Sequence, residues 1–295
     1  MRLDQLLQEV SDLQDQMEAV RTRLDCLEGQ LLHHGTALSR GLSARGLKVY
    51  RKNPRERLLI PSDLSSELDF QFYERMKKYS FRLFLRDLVR TEGSFDPLDL
   101  TNYCSGRVAL EYTRFLETVS VVRRLKGDRY RLSRPEIASF GPTLEWFVAQ
   151  IFEREFACPA MFGVDFKETD VGGDYDVLAL WERRLVYVEV KSSPPKSIEP
   201  PEVTAFFLRL RDLIPDVALF FNDTCLRMRD KVVSIFEGEI PKIPAGISLW
   251  DRPERLEAEI YHVAHRIYIL NSKKGIVSNF RICLRDHIRA SRGFG

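Results

Sequence analysis

Nine apolar residues near the start of the chain, Leu3, Leu6, Val10, Leu13, Met17, Val20, Leu24, Leu27 and Leu31, are spaced alternately three and four apart. This heptad, with residue 3 at a and residue 6 at d, predicts a coiled coil over residues 1–34. A strict seven-residue repeat makes a narrow stripe that a second helix must cover. In a parallel homodimer through residues 3–31, Arg23 at g meets Glu28 at e of the second helix. Most other e and g positions are uncharged, so the direction of the pair, parallel or antiparallel, is weakly specified. One amphipathic helix lying on its own protein is the plainer alternative. His33-His34-Gly35 stops the pattern. Residues 35–68 contain Gly, Ser and Pro and the basic run "RGLKVYRKNPRER", which together predict a basic linker; an arm that follows phosphates is the second reading.

Helical spacing returns after residue 68. Phe72, Met76, Tyr79, Leu83 and Leu88 recur on one helical face, and "DPLDLTNYC" reads as a short helix with Pro97 near its start. "RVALEYTRFLETVSVV" is a longer helix with Val108, Tyr112, Phe115, Leu116 and Val119 turned inward. Two short β-like runs then flank Gly127-Asp128, a hairpin signal. Three helices followed by a hairpin over residues 69–135 resemble a winged helix-turn-helix domain.

From 140 to 292 the pattern alternates. "TLEWFVAQIFEREF" is an amphipathic helix, and "FGVDFKETDV", "DYDVLALW" and "RLVYVEVKSS" are strand-like. "EVTAFFLRLRDLI" is a helix entered through proline. "DVALFFND" is a strand, "CLRMRDKVVSIF" a helix, "HRIYILNS" a strand and "IVSNFRICLRDHIRA" a closing helix. This order predicts an α/β layer arrangement, so the whole chain reads as multi-domain α/β.

Composition narrows the classes. With 295 residues and 44% apolar content the chain has enough material for a real core, and global disorder is excluded. The net charge of +2 means that attraction to nucleic acid must come from local clustering. Cysteines 26, 104, 158, 225 and 283 are scattered and form no CxxC pair, so neither a disulfide framework nor a zinc site is expected. The polar N-terminus is unlike a signal peptide, and no run nears the roughly 18 apolar residues of a spanning helix. A soluble, cytoplasmic protein without membrane contact is expected.

The candidate chemistry lies in "DYDVLALWERRLVYVEVKSS", residues 174–193, where charge interrupts two apolar strands. Side chains two apart on a strand share a face, so Glu189 points with Lys191 and away from Val188 and Val190. Carboxylates left unpaired at a strand end carry a large desolvation cost, which a hard divalent cation removes because Mg²⁺ prefers oxygen ligands. Gly172-Gly173-Asp174-Tyr175-Asp176-Val177, followed by Glu189-Val190-Lys191 with 12 residues between Asp176 and Glu189, resembles the motif of the PD-(D/E)XK nuclease superfamily. Tyr175 stands where the family name has proline.

The resemblance implies a restriction-endonuclease-like α/β domain with a central mixed sheet over residues 140–292. It implies catalytic residues Asp176, Glu189 and Lys191, and metal ligands Asp176 and Glu189 for one or two Mg²⁺, with Mn²⁺ as a substitute. Glu145 is the acidic residue on the preceding helix, ahead of Glu153 and Glu155. The implied activity is endonucleolytic hydrolysis of DNA, probed against two rivals: an inactive nuclease fold serving as a DNA-binding adaptor, and a ribonuclease. Residues 101–135 hold eight Lys or Arg against three Asp or Glu. Arg107 and Arg114 on the long helix, with Arg123, Arg124, Lys126 and Arg129 on the hairpin, are the expected contacts to double-stranded DNA. Protein docking is the alternative use of such a domain. His262 and His265, three apart in an expected helix, read as surface or satisfied core groups.

Overall fold

In a computed structural model the described residues are 13–14, 16–23, 37–91, 93–167, 169, 171–243 and 252–293. Most of the expected coiled coil, residues 1–34, lies outside them. Residues 13–14 and 16–23 are helical, and Leu13, Met17 and Val20 on the heptad stripe are exposed.

The protein is mixed α/β, built on an eight-stranded sheet ordered β1-β5-β6-β7-β8-β11-β10-β9. The strands are β1 (Val49–Arg51), β5 (Ala160–Phe166), β6 (Tyr175–Trp181), β7 (Arg184–Lys191), β8 (Val217–Asn222), β9 (Glu254–Glu257), β10 (Ile260–Val263) and β11 (Ile267–Asn271). β7, β8 and β11 are parallel, and the other neighbours are antiparallel. Parallel pairing needs a crossover, and α6 (Pro200–Leu213) supplies it between β7 and β8. β6 and β7 instead join through Glu182 and Arg183, both at positive φ, as a two-residue hairpin turn requires.

Both faces of the sheet are covered, which is why its central strands are apolar almost throughout. One face packs α5 (Gly141–Glu155) and α8 (Ile276–Ser291), with Phe147, Ile151, Phe152 and Phe280 against Val177, Val188 and Leu219. The other packs α1 (37–44), α6 and α7 (Ser234–Glu239), with Leu38, Leu42, Phe206 and Phe236 against Leu178, Tyr187 and Phe220.

Residues 66–132 form α2 (Ser66–Met76), α3 (Tyr79–Val89), β2 (Ser94–Phe95), a 3₁₀ turn (Pro97–Leu100), α4 (Gly106–Thr118), β3 (Val122–Arg124) and β4 (Tyr130–Leu132). The three strands make a small sheet ordered β2-β4-β3. Tyr112, Phe115, Leu116 and Val119 are buried as their spacing predicts. This part shares one apolar cluster with α5: Phe72 lies 5.8 Å from Trp146 and Tyr73 lies 5.5 Å from Phe147, centroid to centroid. The expected boundary at 135–140 is therefore not a gap in the core.

Three expectations need correction. Residues 35–68 are not a free linker: Leu38, Leu42 and Leu47 are buried in one cluster and Leu58, Leu59 and Ile60 in the other. β1 also pairs with β5. The basic residues hid this, because only the side chains between them turn inward. His262 and His265 are not helical; His262 lies on β10 and His265 in the following turn, where Ala264 and His265 take positive φ. The segment "CLRMRDKVVSIF" becomes helical only from Arg229, as a π turn leading into α7. Among the described residues no helix is long and apolar enough to cross a membrane.

Candidate active site

The β6–β7 register pairs Val177 with Val188, so one step further along stand Asp176 and Glu189. The Val190 N–H donates to Asp176 Oδ2 at 2.6 Å and fixes that carboxylate against the neighbouring strand. Lys191 Nζ lies 2.9 Å from Glu189 Oε1. The predicted trio thus collects at one end of the β6–β7 pair.

Glu189 is 1% exposed, and a carboxylate so placed needs compensation. It receives three partners besides a place beside Asp176. Lys191 is one; Arg209 of α6 donates at 3.1 Å to Oε2 and 3.3 Å to Oε1; the Tyr187 hydroxyl donates to Oε2. Lys191 is held from its other side by Glu202 Oε2 at 3.1 Å. Oε1 of the same Glu202 accepts from the Glu199 N–H at 3.1 Å and so caps α6. The start of α6 therefore aims both Glu202 and, seven residues on, Arg209 at the end of β7.

Two glycines leave space for this assembly. Gly163 on β5, at φ +51, would place a Cβ 2.8 Å from Pro54 Cγ and 3.8 Å from Glu145 Oε2. Without a side chain it admits the passing chain at Pro54, next to the Glu145 carboxylate from α5. Gly173, at φ +96, would place a Cβ 3.3 Å from Arg209 Nη2. Its neighbour Asp174 is ion-paired with Arg57 at 2.8 Å.

The charges act on one another. Burial, and then repulsion from Asp174 and Glu189, push the Glu145 carboxyl up to about 8 against the pull of Arg57 and Lys191. Burial and the Glu189 and Glu145 charges likewise raise Asp176 well above the usual carboxylate range, although the Val190 N–H and Lys191 favour its ionised form. Burial alone would lower Lys191. Its contacts with Glu189, together with Asp176 and Glu202, outweigh that and hold its ammonium above the usual lysine range. Arg209 is shifted upward by the same balance. Lys191 in this arrangement is a fixed cation.

Five carboxylates (145, 174, 176, 189 and 202) therefore face three cations (57, 191 and 209). These oxygen donors fit a hard divalent cation in donor type, one whose binding would release the protons that Glu145 and Asp176 hold. As they stand, the side chains do not close around a metal: among the described residues no three His, Cys, Asp or Glu are grouped to hold one. Glu153, the weaker candidate on α5, bonds Gln150, and Glu155 pairs with Lys77 at 2.6 Å, so both serve other contacts.

Of the expected DNA contacts, Arg107, Arg114, Arg123 and Lys126 are exposed. Arg124 pairs with Asp128 at 2.8 Å. Arg129 donates to Ser94 O at 2.6 Å and Ser94 Oγ at 2.9 Å, which ties β4 to β2. Arg57, Arg209, Glu202 and Gly163 were not anticipated. Glu202 and Arg209 carried a weak signal, seven residues apart beside an apolar helical stripe.

No family model matches the chain, and no curated protein matches it. Solved structures that resemble it at low identity include the following two. Can2 from Sulfobacillus thermosulfidooxidans, in complex with cyclic tetra-adenylate (cA4), is 13% identical, with 85% of this chain and 60% of that chain covered and a TM-score of 0.47. Protein VC1899 from Vibrio cholerae is 16% identical, with 65% of this chain and 53% of that chain covered and a TM-score of 0.43. The chain thus spans little more than half the length of either.

Proposed function

We propose that the protein is a metal-dependent nuclease that hydrolyses phosphodiester bonds in DNA. The observation that carries this reading is the gathering of Asp176, Glu189, Lys191 and Glu145 at one end of the β6–β7 pair, where burial and mutual repulsion raise the Glu145 and Asp176 carboxyls. Asp176 and Glu189 would hold Mg²⁺, or Mn²⁺ in its place, with Glu145 beside them. The ion would act as a Lewis acid on a phosphoryl oxygen and lower the pKa of a bound water.

The protein groups have separate tasks. Lys191 keeps its proton and stabilises negative charge that develops on the phosphorus oxygens. Glu202 fixes the direction of that ammonium, and Arg209 with Tyr187 fixes the Glu189 carboxylate. The Val190 N–H orients Asp176. No protein group is placed as a covalent nucleophile in this scheme; water attacks.

The helical unit before the sheet would grip duplex DNA, with α4 in the major groove and the β3–β4 wing on the backbone. Arg107, Arg114, Arg123 and Lys126 face solvent for that task. A homodimer through residues 3–31 would present two sites, one for each strand.

A panel of single- and double-stranded DNA and RNA, with Mg²⁺ and with Mn²⁺, tests the assignment. Cleavage of DNA that stops on chelation is the expected result. Cleavage confined to RNA would make the protein a ribonuclease, and binding without cleavage on every substrate would make it an adaptor.

A further inference from the structure

At the outer edge of the sheet α1, β1 and the end of β5 enclose an open groove of about 470 Å³. Ser39, Ser43, Lys48, Tyr50, Lys52 and Lys167 line it together with Val49, and no carboxylate does among the described residues. Tyr50 is 70% exposed, and Lys167 Nζ stands 5.8 Å from its ring centre. Lys52 Nζ is held by Ser39 Oγ at 3.3 Å. Lysines on an edge strand blunt unwanted strand pairing. That role does not call for a large aromatic ring kept in water among three ammonium groups.

The groove also has a direction. From β1 the chain runs on through Asn53, whose N–H donates to Phe162 O at 2.8 Å and whose Oδ1 accepts from the Phe162 N–H at 2.9 Å. Pro54 then fills the space over Gly163, and Arg57 reaches Asp174. Tyr50 and Pro54 are four residues apart, and the chain between them turns at Asn53, whose φ is +52. β1 therefore joins the lysine groove to the segment that packs on Gly163 and reaches Asp174, next to Glu145.

We propose that this groove is a track for single-stranded nucleic acid, with phosphates on Lys48, Lys52 and Lys167 and a base stacked on Tyr50. Stacking on a side chain requires a base free of its own helix, whereas α4 and its wing suit a duplex. This rests on the nuclease reading and narrows it: the substrate carries a single-stranded segment next to duplex.

The test is fluorescence anisotropy of the full chain in chelator, with a labelled single-stranded oligodeoxynucleotide, its RNA counterpart and a blunt duplex. Tyr50→Ala is expected to weaken single-strand binding about tenfold, while Tyr50→Phe keeps it. A Lys48→Gln, Lys52→Gln double variant is expected to flatten the slope of log affinity against log salt by about 1.4. Duplex affinity stays unchanged in all three. Equal weakening on the DNA and RNA strands supports a track that reads phosphate and base but not sugar. Unchanged single-strand affinity in Tyr50→Ala, or an equal loss on the blunt duplex, overturns the proposal. Cleavage by the wild type, scored separately, tells the two readings apart. A groove that binds in a chain that never cuts sinks the nuclease reading alone, and normal cutting with no groove effect sinks the track alone.

Discussion

Glu145 shows how a single side chain reports on the site around it. Its carboxyl is pushed up to about 8 by burial and by the charges of Asp174 and Glu189, against an ordinary value of 4.5. Between those two values the folded chain holds a proton that the unfolded chain has released, so stability falls as pH rises through that window. Below it the two states bind equally and the effect vanishes. The thermal midpoint in chelator is therefore expected to decline from pH 5 to pH 8, with Glu145→Gln removing part of the slope. Mg²⁺ is expected to raise the midpoint more at pH 8 than at pH 5; scanning calorimetry reads both effects. An identical Mg²⁺ response at the two values would show that the carboxylates do not meet the ion. At this scale the sequence was legible where chemistry follows chain spacing. Asp176, Glu189 and Lys191 are joined by a strand period and one tight turn. Arg57 was not legible, since it arrives from the basic run 45–57, and Arg209 showed only in its seven-residue spacing from Glu202 on α6.

Secondary-structure elements were readable in proportion to their length and the depth of their burial. α4, α5, α6 and α8 fall where periodicity put them and β6 to β8 match the apolar runs, whereas β5 (Ala160–Phe166) covers only the first half of the expected run 162–171. β1, β2 and β9 are strands of only two to four residues, and the local pattern of such short edges carries little signal. Contacts between elements were harder still. The Arg82 guanidinium of α3 pairs with Asp223, just past β8, at 2.8 Å, with the two side chains 1% and 3% exposed. It also donates to Met76 O at 2.6 Å and Ser272 Oγ at 3.2 Å. Nothing in the spacing of residues 82, 223 and 272 announces this junction. Arg82→Ala would leave a buried carboxylate without its cation and is expected to cost about 3–5 kcal/mol. Denaturant titration would show it as a lower midpoint. A change under 1 kcal/mol would mean that the ion pair does not hold the helical unit to the sheet.

Across the whole molecule, two units expected to fold side by side share one core instead, because Phe72 and Tyr73 pack directly on α5. A grip on DNA by α4 would then be held at a fixed distance from Asp176, with no hinge between binding and cutting. The N-terminal stripe is the contrasting case: Leu13, Met17 and Val20 are 60%, 73% and 59% exposed in the single chain, a cost that a second copy would relieve. Sedimentation equilibrium is expected to give twice the chain mass of 34.4 kDa, and Leu13→Glu with Val20→Glu to give the monomer. A double variant that remains dimeric would place the interface elsewhere. Cutting itself depends on neither assembly nor grip, but on the chemistry at the end of β6 and β7. Its most direct test is Mg²⁺-dependent DNA cleavage by purified Lys191→Ala beside Asp176→Ala and the wild type, each checked for intact fold by circular dichroism. Loss of at least about a hundredfold in rate in both variants, with duplex affinity kept, is the predicted result. Wild-type cleavage by either folded variant would contradict it.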